Sequence, residues 1–246
     1  MTLDLNIWIS KLRWWKHQVK IRSNNQDFIK ALTKGQLVKT EIQDHGKNNQ
    51  IKVHQAVLKK TSIHIQGDSC RIDIGEDTLL ENCKFFLSGN NQIVKIHTKG
   101  RIRNTSFWLE DGNNRIEIGS GTSIEGAHLA ATEPDGCIEL GEDCMLSYDI
   151  DIRNGDSHSI LSLDKKERLN YAKDVKIDNH VWIGAHSIIL KGCHIGKDNV
   201  IGTGSVLSHL STPPNCLIAG VPGKIIKNDI TWDRDRLKWS KSVLKD

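Results

Sequence analysis

The sequence predicts an all-β fold in which short parallel strands wind into a triangular solenoid, a parallel β-helix. Aliphatic residues recur every six positions near the C-terminus, and the unbroken series is Ile177, Ile183, Ile189, Ile195, Ile201 and Leu207. Glycine often follows these positions, and a compact residue comes four positions after them. A period of six fits neither an α-helix nor simple alternation, but it fits a short strand followed by a turn. Three such units would close one coil of about 18 residues.

Each position of the repeat has a role in this prediction. The aliphatic side chains point into a narrow interior, and stacked coils bury one another's faces. Gly184, Gly196 and Gly202 are expected to adopt positive φ at the corners, which costs glycine little. The same period recurs less regularly upstream, around Leu140 and Ile118. We therefore expect the solenoid to extend well to the N-terminal side of the clear repeat.

The upstream register breaks at a histidine. Continuing the spacing from Ile152 puts His158 in the next inward position, and residues 159–172 then carry a charged run without hexads. This pattern indicates a loop extruded from one corner of a coil. Insertions at one corner of a solenoid cluster on one face, which is often the binding face.

The chain is expected to have three parts. Residues 1–50 form an N-terminal cap, residues 51–222 form the β-helix with its loop, and residues 223–246 form a short C-terminal cap, helical or extended. Residues 1–20 mix tryptophans with lysines and arginines. That mixture fits either a cap over the open end of the solenoid or a basic amphipathic segment at a membrane surface.

Composition limits the classes of function. The net charge of +4 over 246 residues is too small to indicate nucleic acid binding, although it suits an anionic ligand. No apolar h-region and no run approaching about 20 apolar residues occurs, so we expect a cytoplasmic protein, with contact to the inner face of the membrane as the alternative role of its N-terminus. The six cysteines form no CxxC pair, and we expect buried free thiols at Cys70, Cys83, Cys137, Cys144, Cys193 and Cys216.

Three stretches together resemble the hexapeptide-repeat acyltransferases. They are YDIDIRNGDSHSI (148–160), VKIDNHVWIGAHSIILKGCHIGKDNVIGTGSVLS (175–208) and CLIAGVPGKIIK (216–227). The resemblance is nearest to the O-acetyltransferases of bacterial capsule, lipopolysaccharide and sialic acid polymers, and it covers roughly residues 116–232. It implies a left-handed coil, against the usual right-handed crossover, which the periodicity does not show. It also implies a homotrimer, acetyl-CoA as co-substrate and a carbohydrate acceptor.

The candidate catalytic residues are His158 and Trp182. A hydroxyl group must lose its proton as it attacks a thioester, and an imidazole that titrates near neutrality suits that task. His158 matches the family's catalytic histidine, with Asp156 and Ser157 placed to orient its ring. Trp182 follows 24 residues later, the family's spacing. The resemblance implies that this tryptophan flanks a site between neighbouring subunits.

The resemblance also implies the acetyl-CoA contacts. Lysines stand where the family often has arginine, which keeps the charge but loses the planar fork. A serine and a histidine replace the Thr-Lys pair that is common in the family. The implied contacts are Ala185, Thr203, Gly204, Ser208, His209, Lys224 and Lys227. No metal site is expected.

Three alternatives remain at this stage. A γ-class carbonic anhydrase has the same solenoid but needs three histidines on one zinc, and residue 199 is Asn199 where the close second histidine would stand. A non-catalytic scaffold would need neither the His158–Trp182 pair nor the AGVPGK segment. A small-molecule acetyltransferase keeps the chemistry and changes the acceptor to a sugar, an antibiotic or an amino acid. The sequence favours transfer of acetyl to a sugar hydroxyl of a bacterial surface polysaccharide or its precursor.

Overall fold

The computed structural model describes residues 19–23 and 35–237, and every regular element in them is a β-strand. In chain order the strands are β1 (Lys20–Ser23), β2 (Gln36–Val38), β3 (Glu41–Asp44), β4 (Gln50–Val53), β5 (Val57–Lys59), β6 (Ser62–Gln66), β7 (Arg71–Ile74), β8 (Leu79–Glu81), β9 (Lys84–Ser88), β10 (Ile93–Ile96), β11 (Arg101–Arg103), β12 (Ser106–Leu109), β13 (Arg115–Ile118), β14 (Ser123–Ile124), β15 (Ala127–Ala131), β16 (Cys137–Leu140), β17 (Met145–Leu146), β18 (Ile150–Arg153), β19 (Val175–Ile177), β20 (Trp182–Ile183), β21 (Ile188–Ile189), β22 (His194–Ile195), β23 (Val200–Ile201), β24 (Val206–Leu207), β25 (Leu217–Gly220) and β26 (Gly223–Lys227). In these described segments no helix is long and apolar enough to cross a membrane.

Three sheets form the three sides of the solenoid. Sheet 1 contains β1, β3, β6, β9, β12, β15, β18, β21 and β24; sheet 2 contains β2, β5, β8, β11, β14, β17, β20, β23, β25 and β26; sheet 3 contains β4, β7, β10, β13, β16, β19 and β22. From β3 to β24 the chain visits sheets 1, 3 and 2 in turn. Neighbouring strands are parallel except for β25 and β26, which are antiparallel. This arrangement confirms the predicted all-β parallel β-helix.

Coil length changes along the solenoid. Arg71 pairs with Ile93 in the N-terminal half, whereas Lys176 pairs with His194 in the C-terminal half, so the coil shortens from 22 residues to 18. The longer coils have strands on sheets 1 and 3 with two inward side chains each, as in β7. The six-residue spacing therefore survives upstream mainly where the chain passes from sheet 3 to sheet 2, as from Ile118 to Ile124, which explains why the repeat fades there.

The stack begins before residue 51. Glu41 in β3 pairs with Ser62 in β6, and Lys20 in β1 pairs with Glu41. Residues 35–50, expected to belong to an N-terminal cap, are therefore part of the β-helix. Residues 1–18 and 24–34, which belong to the same predicted cap, lie outside the described residues, and so does nearly all of the possible membrane segment, residues 1–20.

The interior is a narrow column of aliphatic side chains. All six members of the sequence repeat from Ile177 to Leu207 are at most 1% exposed. In the longer coils the column also contains two aromatic residues, Phe85 and Phe107, whose rings stack with their centroids 4.5 Å apart. The six cysteines are free thiols, and all but the half-buried Cys137 are buried, as predicted.

The glycines of the repeat do not have the predicted conformation. Gly184, Gly196 and Gly202 lie outside the positive-φ region, so the expected corner role is wrong. A Cβ atom at Gly184 would lie 2.7 Å from the amide nitrogen of Thr203, so these glycines instead permit close packing between coils. The positive φ angles fall three residues after each inward aliphatic side chain, at His180, His186, Gly192, Asp198 and Gly204.

Replacing Phe107 with Ala is expected to lower the free energy of unfolding by about 3–5 kcal/mol, because the cavity it leaves lies beside the Phe85 ring. Denaturant unfolding followed by circular dichroism measures the change. The matched control is Lys52→Ala on the outer face of sheet 3, which should stay within about 0.5 kcal/mol of the parent. An equally small effect of Phe107→Ala would contradict the assignment of that ring to the core.

Candidate functional site

His158 lies where the chain leaves the coil between sheets 1 and 3. Its side chain is exposed and not inward as the hexad register predicted, because β18 ends at Arg153 and the following residues turn away from the interior. The chain returns at Lys173, whose amide nitrogen donates to the Asn154 carbonyl at 2.9 Å. The intervening residues form the extruded loop that the sequence predicted.

The loop is a short hairpin. The Leu169 amide donates to the Ile160 carbonyl at 2.8 Å, and Leu161 pairs with Arg168 across the hairpin. The side chain of Leu163 at the tip is 100% exposed. Ile160, Leu161 and Leu169 on the same hairpin are also more than half exposed, and a cluster of exposed apolar side chains indicates a surface that contacts another molecule.

A buried asparagine fixes the base of the loop around His158. The side-chain nitrogen of Asn170 donates to the His158 carbonyl at 2.7 Å and to the Asp156 carboxylate at 2.8 Å. Its side-chain oxygen accepts from the Ile160 amide at 2.7 Å. These bonds hold the backbone on both sides of the histidine and leave its exposed imidazole to solvent.

A buried lysine from the next coil also holds the foot of the loop. The Lys191 ammonium donates to the Asp156 carboxylate and, at 3.0 Å, to the Asn170 carbonyl. Partial burial of Asp156 acts to raise its pKa, but the hydrogen bonds from Lys191 and Asn170 outweigh it and the pKa lies below the usual value. Lysine is rarely buried unless it is paired, so the buried Lys191 depends on Asp156 and Asn170 and in turn fixes both of them.

The preceding coil holds the other side of the loop. The Arg168 guanidinium forms a bidentate pair with the Glu133 carboxylate, with one nitrogen–oxygen distance of 3.0 Å. The same carboxylate accepts from the Ala172 amide at 3.3 Å. Sequence analysis missed Glu133, Arg168, Asn170 and Lys191, because their spacing follows no repeat and only the folded loop brings them together.

Trp182 lies on a different side of the solenoid. It is in β20, with its side chain on the outer face of sheet 2 and 38% exposed. A cavity of about 460 Å³ opens beside it, and three of the predicted site residues share its lining. The lining residues are Trp182, Gly184, Val200, Ile201, Gly202, Thr203, Leu217, Lys227, Ile230, Thr231 and Trp232.

The far wall of this cavity is the C-terminal strap, residues 228–237. Trp232 is only 8% exposed and its ring stacks on His180 with centroids 4.2 Å apart. Its indole nitrogen donates to the His180 carbonyl at 2.8 Å, and its ring centroid lies 6.2 Å from that of Trp182. The C-terminal region is thus extended after β26, with no helix up to residue 237.

His180 links the strap to the coils through both of its ring nitrogens. Its Nδ1 faces an Asp143 carboxylate oxygen at 2.9 Å, and its Nε2 faces the Trp232 carbonyl at 3.1 Å. An ionised carboxylate and a carbonyl only accept hydrogen bonds, so this pair of contacts favours the protonated ring, in which both nitrogens donate. Desolvation acts to lower the pKa of His180, but the bonds to Asp143 and Trp232 outweigh it and the pKa lies above its usual value.

The remaining predicted contacts fall on the two edges of sheet 1. At the corner between sheets 2 and 1, the Gly204 amide donates to the Ala185 carbonyl at 2.8 Å, and no atom lies within 4 Å of a Cβ placed on Gly204. Lys224, in register with Ala219 of β25, is exposed nearby. At the corner between sheets 1 and 3, the His209 amide donates to the Lys191 carbonyl at 3.1 Å.

The structure therefore separates the predicted residues into two groups. The histidine edge, between sheets 1 and 3, contains His158, Ser208 and His209. The tryptophan face, on sheet 2 and its corner with sheet 1, contains Trp182, Ala185, Thr203, Gly204, Lys224 and Lys227. In a triangular section the corner between sheets 1 and 3 lies opposite sheet 2, so one chain does not bring His158 and Trp182 together.

Residues 19–23 and 35–237 contain no group of three or more His, Cys, Asp or Glu side chains placed to share a metal ion. His194, the second histidine of the zinc alternative, contacts the Asp178 carboxylate at 3.2 Å. Asn199 is buried, and its side-chain nitrogen donates to Thr212 and to the Pro213 carbonyl.

Known proteins share this architecture. A family model described as bacterial transferase hexapeptide (six repeats) matches residues 174–209. The polysialic acid O-acetyltransferase of Neisseria meningitidis is 34% identical over 193 residues, which are 78% of this chain and 88% of that protein. The enzyme of the same name from Escherichia coli O1:K1 / APEC is 32% identical over 57% of this chain and 45% of its own length.

Two solved structures extend the similarity over the upstream coils. The crystal structure of a polysialic-acid-specific acetyltransferase has a TM-score of 0.68 and 29% identity, covering 84% of this chain and 87% of that one. A second polysialic acid O-acetyltransferase has a TM-score of 0.52 and 30% identity, covering 85% and 94%. The fold is thus the left-handed parallel β-helix that the resemblance implied.

Docking of the strap is expected to weaken at alkaline pH. Because the pKa of His180 is raised in the folded chain, the stabilisation it gives is complete below about pH 6.5 and is lost as pH rises through the raised pKa. Amide hydrogen exchange of residues 228–237, corrected for intrinsic rates, should therefore speed up between pH 6 and pH 9.

The variant His180→Asn should exchange rapidly across that range and lose this pH dependence. The matched control is His186→Asn, since His186 occupies the equivalent corner and pairs with Asp149 but has no described contact with the strap. A pH response in His180→Asn equal to that of the parent would assign the effect to another group.

Proposed function

The chain belongs to the hexapeptide-repeat acetyltransferases, the family of the polysialic acid O-acetyltransferases, and we propose that it transfers acetyl from acetyl-CoA to a hydroxyl group of a bacterial surface polysaccharide or its precursor. The observation that carries this proposal is the cavity that Trp182, Thr203 and Lys227 line together. Three residues matched to the family, from two of the three matching stretches of sequence, share one space of a size typical of small-molecule sites.

His158 is the proposed general base. Its imidazole accepts the proton of the acceptor hydroxyl as that oxygen attacks the thioester carbonyl carbon. The carbon–sulfur bond then breaks, and the imidazolium returns the proton to the departing thiolate of CoA. The exposed ring suits this role, and the bonds of Asn170 to the backbone around it fix where the ring starts from.

The proposed active site needs a second copy of the chain. The histidine edge and the tryptophan face border the two edges of sheet 1, so a ring of copies around sheet 1 would place the histidine edge of one against the tryptophan face of the next. Such a head-to-tail contact closes into a ring, and we propose three copies. The exposed Leu163 on the loop supports this, since a neighbour would cover it.

Acetyl-CoA is proposed to lie along the tryptophan face. Lys224 and Lys227 are exposed, and neither forms an ion pair within residues 19–23 and 35–237, which leaves both ammonium groups for phosphates. The empty space beside Gly204, at its corner with Ala185, leaves room for the thioester arm. Ser208 and His209 reach the same molecule from the histidine edge of the neighbouring copy.

Release of CoA thiol from acetyl-CoA is the direct test, measured across neutral, amino-sugar and sialic acid polysaccharides together with small sugars, antibiotics and serine. Thiol release with a polysaccharide supports the proposal, and release only with a small molecule would replace the acceptor. We expect His158→Ala to lower kcat by about 10² or more, the scale of a lost general base. His194→Ala, which removes another exposed histidine, should leave kcat near normal.

Sedimentation of the same variants should show unchanged assembly, which would assign the lower kcat of His158→Ala to the chemical step and not to a lost oligomer. Near-normal turnover of His158→Ala would remove this histidine from the mechanism.

Lys191 is expected to act as a positioning residue through Asp156 and Asn170. Lys191→Met should lower kcat by about 10-fold or more with little change in the KM for acetyl-CoA, because a displaced base loses its alignment. Lys191→Arg should recover part of the rate by restoring the cation. Lys173→Met, an exposed lysine at the same corner, is the matched control, and equal losses in both methionine variants would count against a specific role for Lys191.

A further inference from the structure

The C-terminal strap runs back along the solenoid from the coil of Asn215 to the coil of Ser123, four coils earlier. The Ile230 amide donates to the Asn215 carbonyl at 3.0 Å, and the Asn215 side chain returns a bond to the Ile230 carbonyl. Trp232 then packs on His180, which lies at the same corner two coils earlier in the stack. Arg234 reaches two coils further, and its guanidinium donates to Asp143 at 2.9 Å and to Ser123 at 2.8 Å.

The strap turns an open sheet face into a cavity. Trp182, Val200 and Leu217 occupy the same register position in successive strands of sheet 2, so their side chains form one outward apolar column. Without the strap, this column would be an open surface that could not enclose a ligand. Residues 230–232 of the strap stand opposite it and enclose the space of about 460 Å³.

The shape and chemistry of this cavity fit a slender, mostly apolar chain with an anion at one end. Trp182 and Leu217 are separated by two strand spacings, about 10 Å. Lys227 lies in register with Leu217, so its ammonium marks one end of the column, while Trp182 marks the other. Thr203 and Thr231 add single hydroxyl groups along the walls. Pantetheine, with amides in an aliphatic chain and phosphates at one end, has this pattern.

We propose that the strap is part of the acetyl-CoA site, with Ile230, Thr231 and Trp232 contacting the pantetheine arm and with His180 and Arg234 positioning the strap. This inference rests on the proposed function and adds to it a binding wall that lies outside the repeat. The contacts of the strap are with its own chain, so the wall is complete in each copy before any assembly.

Several contacts of Arg234 anchor the strap to the coils. Arg234 donates to an aspartate carboxylate, a serine hydroxyl and the Cys144 carbonyl, and its guanidinium lies 5.7 Å from the centroid of the Trp232 ring. Charge-assisted bonds and cation–π contacts of this kind hold an irregular segment in place without a strand or helix. A segment that only covered the end of the solenoid would not need to run back across four coils.

Two truncations provide the first test, with acetyl-CoA affinity measured by calorimetry. Removing residues 228–246 deletes the strap, whereas removing residues 238–246 leaves it whole and serves as the control. We expect the longer truncation to raise the Kd by about 10-fold or more and the shorter one to leave it unchanged. Cooperative thermal unfolding of both proteins confirms that the coils remain folded.

Point variants separate contact from anchoring. Trp232→Ala should raise the Kd by about 10-fold, and Trp232→Phe, which keeps an aromatic wall, should recover most of the affinity. Arg234→Ala should raise the Kd while also speeding amide exchange throughout the strap. In the unaltered protein, acetyl-CoA should slow amide exchange in residues 228–237, a readout that does not depend on the folding of any variant.

The outcomes distinguish the two proposals. Failure of the full chain to bind acetyl-CoA would contradict the proposed function itself. Binding that survives removal of residues 228–246 unchanged, with no protection of the strap by acetyl-CoA, would overturn this inference and leave the proposed function standing.

Discussion

The parallel register between successive coils is the constraint on which the rest of this structure depends. Each coil places its backbone donors and acceptors against the next, as where Trp182 aligns with Val200 and Ile183 with Ile201. Because the side chains of a strand alternate between interior and surface, a fixed register also fixes every outward column. The apolar column of sheet 2 and the open corner at Ala185 and Gly204 both follow from it.

The proposed catalytic and binding residues outside the coils lie in the two segments that leave this register. The loop after β18 carries His158, and its base is fixed by one buried amide and one buried ammonium, Asn170 and Lys191. The strap after β26 brings Trp232 against the coils, where its ring stacks on His180 and its carbonyl faces the imidazole. In both cases buried or half-buried polar groups hydrogen-bond the segment to the coils, which is how a rigid scaffold positions a reactive or binding side chain.

The triangular section also explains why one chain holds only part of the proposed site. A side chain at a corner and a side chain on the opposite sheet have the whole core between them, so no local adjustment joins His158 to Trp182. Both groups nevertheless border sheet 1. The proposed head-to-tail arrangement about that sheet would supply the missing part, and it would give every copy one complete site with each neighbour.

The sequence by itself determined the solenoid from 177 to 207, the extruded loop and the free cysteines, because a strict six-residue period leaves few other ways to bury aliphatic side chains. It misjudged the glycines, since a position that needs close packing between coils and a position that needs positive φ are both filled by glycine. It also missed the longer upstream coils, where two inward residues per strand erase the hexad.

Only the tertiary structure decided that His158 and Trp182 lie on opposite sides, that Lys191 supports the loop and that the strap encloses a cavity. Those relations join residues far apart in the chain through non-repeating segments, whose paths depend on individual hydrogen bonds and not on a period.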